Sequence, residues 1–154
     1  MRVELKRISE IEEGKDRRKY LIDKSKRLLV VRKGSVVDRH LRFDGKIVAG
    51  MNSSFWGNLE AEEIYLGKGC YVGGKIVCSK IVVGPYSEFA YIQSEGDVLI
   101  LDGCKGGVVR SEGDVRIREK SVINVVESNG HVIFDGESKV GKVSGRKLFA
   151  SKNY

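Results

Sequence analysis

Between Lys80 and Gly130 the chain says the same thing three times at a fixed interval. The blocks KIVVGPYSEFAYIQSEG (80–96), DVLILDGCKGGVVRSEG (97–113) and DVRIREKSVINVVESNG (114–130) start 17 residues apart and close on Ser-Glu-Gly, Ser-Glu-Gly and Ser-Asn-Gly. A period of this length, with apolar residues two apart and no helical spacing inside it, belongs to stacked coils of β-strand. The repeat therefore predicts an all-β chain, a single-stranded three-sided parallel β-helix of about seven coils of 17 residues.

Extending the register gives coils at 29–45, 46–62, 63–79, 80–96, 97–113, 114–130 and 131–147. Their second places hold Val30, Ile47, Ile64, Ile81, Val98, Val115 and Val132, and their fourth hold Arg32, Ala49, Leu66, Val83, Ile100, Ile117 and Phe134. Residues two apart on a strand share a face, so these columns point inward together. A second inward pair falls at places eight and ten, starting with Val36 and Asp38 in the first coil and continuing as Cys70 with Val72 and Ser87 with Phe89. A third lies near places 13 to 15, one place later in coils two and three. Three inward pairs imply three sides, and a narrow interior explains the small Ser/Cys column.

Residues 1–28 do not fit this register and read as a basic N-terminal arm or cap, with a strand–turn–strand over 18–31. Residues 148–154 read as a short C-terminal tail. The arm carries ten basic and six acidic residues, more than half of the net charge of +7. Its Arg17, Arg18, Lys19, Lys24, Lys26 and Arg27 could meet an anionic surface, either membrane lipid or nucleic acid. Nineteen glycines against one proline suit a chain that turns corners often. No apolar run reaches the roughly 18 residues of a membrane span, and the first residues resemble no signal peptide, so the expected address is cytoplasmic.

Catalytic signals are sparse. The two histidines, His40 and His131, occupy different coil positions. Hexapeptide acyltransferases use a histidine on a three-sided β-helix, and that acyl-CoA-dependent reaction is the enzymatic alternative here. Neither Gly67-Lys68-Gly69 nor Gly103-Cys104-Lys105-Gly106-Gly107 leads into a helix, so neither is a phosphate loop. Cys70, Cys78 and Cys104 are an odd count without Cys-x-x-Cys. Cys70 and Cys104 stand two coils apart, roughly 9–10 Å, beyond disulfide reach. No cofactor, metal or small-molecule substrate is expected.

An open solenoid end is a row of unpaired strand edges. The C-terminal end has little sequence to cover it, which makes Val132, Phe134, Val140, Val143 and Phe149 the candidate self-association face. The stretches Val108-Val109-Arg110-Ser111-Glu112-Gly113-Asp114-Val115-Arg116-Ile117 and Ile92-Gln93-Ser94-Glu95-Gly96-Asp97-Val98-Leu99-Ile100 look like the repeats of the bactofilin family of polymer-forming cytoskeletal proteins. The resemblance covers about residues 46–147. It implies a right-handed β-helix that self-assembles through its end faces without nucleotide, and termini that choose partners or membrane. The expectation is a non-enzymatic, self-associating scaffold, with the chain itself as its partner.

Overall fold

A computed structural model describes residues 19–151, and every described element is a strand. The chain enters through a hairpin of β1 (Tyr20–Asp23) and β2 (Leu28–Val31), paired antiparallel as the strand–turn–strand pattern predicts. The first coil continues with β3 (Val36–Val37) and β4 (Leu41–Arg42). The second holds β5 (Lys46–Ala49), β6 (Ser54–Phe55) and β7 (Leu59–Glu60). The third holds β8 (Glu63–Leu66) and β9 (Tyr71–Cys78), and the fourth β10 (Lys80–Val83) and β11 (Glu88–Ser94). Then come β12 (Val98–Ile100) and β13 (Lys105–Ser111), β14 (Val115–Arg118) and β15 (Val122–Ser128), and β16 (His131–Asp135) and β17 (Lys139–Ser144). A final strand, β18 (Lys147–Ser151), opens an eighth turn.

One side of every coil joins a nine-stranded sheet, called flat because burial alternates along its strands with no corner within them, in the order β1-β2-β5-β8-β10-β12-β14-β16-β18. All its pairings except β1–β2 are parallel. The other two sides form a second sheet that turns a corner in mid-strand. In β11, Phe89 and Ile92 are both buried with two outward residues, Ala90 and Tyr91, between them. Two outward residues in succession break the alternation of a straight strand and rotate the chain onto the next side. The result is a β-solenoid of about seven turns with three inward pairs per turn, as the repeat predicts.

The core is one continuous column of aliphatic side chains from Leu29 to Val132, including Ile47, Ile64, Ile81, Val98 and Val115. Each fully buried Val or Ile contributes about 1.5–3 kcal/mol relative to exposure. The small column has a role beyond saving space. Ser53, Cys70, Ser87, Cys104, Ser121 and Ser138 each donate to a carbonyl of the preceding coil's first corner, at 2.8–3.3 Å. The backbone N–H groups of Cys70, Cys104 and Ser121 donate back to the hydroxyl one coil on, at 3.1–3.2 Å. These side chains satisfy backbone polar groups that the corners remove from the strand ladder.

The closing Ser-Glu-Gly has the same logic. Ser94, Ser111 and Ser128 point inward, and their Oγ atoms accept from the N–H of Gly96, Gly113 and Gly130. Ser111 and Ser128 also donate to the glycine carbonyl of the coil before. A Cβ on Gly113 would lie 2.9 Å from the Gly96 carbonyl carbon, so stacked coils leave no room for a side chain there.

Three details depart from the predicted register. In the first coil Leu29 and Val31 are the buried pair, matched to Ile47 and Ala49, while Val30 faces outward and Arg32 is exposed. Likewise Ser35 and Val37 point inward there, and Val36 and Asp38 do not. The cause is a coil of 18 residues, since Leu28 pairs with Lys46. At the other end Val132 pairs with Leu148, a coil of 16. Residues 148–151 are therefore solenoid strand rather than tail, because the shortened coil brings Leu148 and Ala150 onto the inward columns of Val132 and Phe134.

Candidate self-association site

Among the described residues β17 and β18 are the last strands of their sheets, each with one edge unpaired. Inside that rim Phe134, Val140 and Val143 remain half-buried. They line a hollow of about 420 Å³ together with Gly136, Glu137, Ser138 and Ala150.

Phe134, Val140 and Val143 thus stand together as expected. Val132 and Phe149 do not join them. Val132 is fully buried under β18, and Phe149 pairs with outward-facing Ile133 on the flat sheet, where its ring lies edge-on to His131 at 5.5 Å. The inward residue of β18 that the expectation lacked is Leu148, 56% exposed on the last strand of its sheet among the described residues. A coil length of 16 would have revealed it, and a strict period of 17 conceals it.

The basic arm divides. Arg17 and Arg18 lie outside the described residues. Lys19 Nζ donates to the Val36 carbonyl at 2.7 Å, tying β1 to the first coil. Arg27 takes a left-handed backbone (φ 50°) and spans Asp44 at 3.0 Å and Glu62 at 2.9 Å. Those carboxylates raise its pKa further and hold its charge at the corner. Lys24 and Lys26 sit exposed in the hairpin turn. There the Asp23 carboxylate accepts from the Ser25 hydroxyl and the Lys26 N–H, which lowers its pKa.

The histidines are far apart in use as well as in sequence. His40 Nδ1 accepts from the Asn58 N–H at 2.8 Å, bracing one coil against the next. The His131 N–H donates to the Asp114 carboxylate at 2.8 Å, as the Asp114 N–H does to Asp97 at 3.0 Å. These carboxylates answer backbone donors of the following coil. No group of three His, Cys, Asp or Glu with metal-binding geometry occurs among the described residues. The three cysteines are free and buried. Burial pushes all three thiols up, Cys78 to about 11.

The outer surface of the flat sheet holds a feature that the inward register does not reveal. Its outward column reads Val30, Val48, Tyr65, Val82 and Leu99, then Arg116, then Ile133. Leu21 and Phe149, 51% and 48% exposed, extend it at either end. The sequence carries this signal at the third place of each coil from the second onward. It is masked because Val82 and Leu99 continue apolar runs that read as buried strand.

The fold is thus that of a β-solenoid, and among the described residues its C-terminal end carries an apolar hollow that no strand crosses. No protein-family model, characterised protein or solved structure matches the chain.

Proposed function

We propose that this chain is a non-enzymatic, self-associating scaffold whose copies join through the C-terminal end of the solenoid. The observation that carries the reading is the pair of edges, β17 and β18, that no other described strand pairs, around the half-buried Phe134, Val140 and Val143. An edge of this kind is a template for another strand. Burying the hollow would also return apolar surface to a protein environment at about 25 cal/mol per Å². The likeness of the repeats to those of bactofilins points the same way. Use of this end alone closes a dimer, and use of both ends propagates a filament. Buried, unpaired thiols suit a reducing cytoplasm.

Sedimentation velocity and negative-stain microscopy over a range of protein and salt concentrations test the proposal. Concentration-dependent species should appear in the wild type and diminish in Val140→Asp and Phe134→Arg, with far-ultraviolet circular dichroism showing the fold retained. A particle that stays monomeric throughout overturns it.

A further inference from the structure

We infer that the outer surface of the flat nine-stranded sheet is a lateral docking face for a second copy of the chain. The copies lie face to face with their solenoid axes antiparallel, about a two-fold that passes between Val82 and Leu99. This surface is separate from the end that the scaffold proposal uses.

Area argues for a second copy. Eight strands overlap in this register, all but β1, and at about 4.8 Å apart and four residues wide they offer about 500 Å² per copy. A pair would bury about 1,000 Å², the lower bound for a specific interface. A peptide lying on the same face would gain less, because strands such as β10 and β12 are already hydrogen-bonded on both sides. Shape agrees. Along one flank the corners begin with Gly50, Gly67 and Gly84, which project no side chain that would hold two sheets apart.

Charge selects the orientation. With parallel axes each Arg116 would face its own symmetry mate. With antiparallel axes it is kept from its own mate and stands opposite Tyr65, whose ring Lys46 Nζ of the same chain already overlies at 4.6 Å. Arg116 is moreover already neutralised by Asp135 at 2.6 Å. In the same register Val48 meets Ile133, and Lys80 of each copy meets Asp97 of the other, twice by symmetry. Glu63 meets Asp114, the one opposed pair of like charge.

Cross-linking with a short amine-reactive reagent, read by mass spectrometry beside sedimentation of the same samples, tests the face. In the wild type a Lys80–Lys80 link, which only two copies can make, should form. So should Lys46–Lys147, whose residues stand six strands (about 29 Å) apart within one chain but one strand apart across the interface. Lys46–Lys46 should not form. Leu99→Asp, on the outward column and so outside the core, should abolish both links while the circular dichroism melt stays cooperative. Val140→Asp at the solenoid end should leave them, and Glu63→Gln should strengthen them. Links that survive Leu99→Asp overturn the proposal, as does a Lys46–Lys46 link. A monomer in which Lys80 links to Lys6 or Lys15 would place the chain's own first segment on the face and overturn it equally.

Discussion

The serine and cysteine columns show how much one hydroxyl can hold in a stacked coil. Ser111 Oγ donates to the Gly96 carbonyl and accepts from the Gly113 N–H, both inside the solenoid. Ser111→Ala would leave two backbone groups without that partner and should cost about 1–3 kcal/mol in urea unfolding. Backbone conformation gives the opposite sign at Lys120, whose φ of 63° falls where other coils place Gly34, Gly69 or Gly103. Lys120→Gly should raise stability by about 0.5–1 kcal/mol, since a left-handed lysine costs more than glycine loses in the unfolded chain. Asp135 links stability to pH. The hydrogen bond from Arg116 lowers its pKa in the folded state. Its contribution is therefore present above the usual carboxylate range and is lost as pH falls through the folded value. A carbon-detected titration should find its midpoint below 3.8, rising in Arg116→Gln. The small size of these columns was readable from the sequence as a packing need. Their hydrogen bonds were not, because the accepting carbonyl lies about 20 residues back along the chain.

At the scale of strands, corner length is the variable. Between the second and third sides the first three coils carry three outward residues, as in Gly73-Gly74-Lys75, and the later coils two, as in Ala90-Tyr91. The change shows as a register break between Phe89 and Tyr91 where β11 meets β9. Gly74 lies against the Gly57 carbonyl of the coil before, so Gly74→Ala presses a methyl into backbone that cannot swing away. It should destabilise by about 1–3 kcal/mol, by the overpacking route. The one-place shift of coils two and three was legible because apolar residues mark it. The 18-residue first coil was not, since Leu28-Leu29-Val30-Val31 offers apolar residues in either phase and only pairing with β5 chooses between them. The 16-residue seventh coil was hidden for the same reason, with no later repeat to correct it.

For the whole molecule, the thiols report on cooperativity. Cys70, Cys78 and Cys104 are at most 4% exposed and their pKa values are raised. A thiol reagent at neutral pH should modify them only at the rate at which the solenoid opens, and faster near a destabilised end. The last coil was legible in the sequence from its repeat, and Phe134, Val140 and Val143 lie beside the last described strands. The flat face was not, because outward apolar residues in a solenoid look like core until the register assigns each one a side. That face keeps one unbroken register from β2 to β16 for a reason found at the corners. In coils two and three the extra residue at one corner is offset by a shorter third corner, Glu62-Glu63 or Ser79-Lys80, where later coils have three residues such as Glu95-Gly96-Asp97. The flat sheet is thus insulated from length changes elsewhere in the turn. Deleting Gly73 and inserting one glycine after Ser79 should only move the irregularity one coil along, with the melting temperature little changed and the Lys80–Lys80 link intact. The two rounded corners work as an expansion joint, so loops on one side of this rod can be lengthened or trimmed without moving the spacing of the groups displayed on the other.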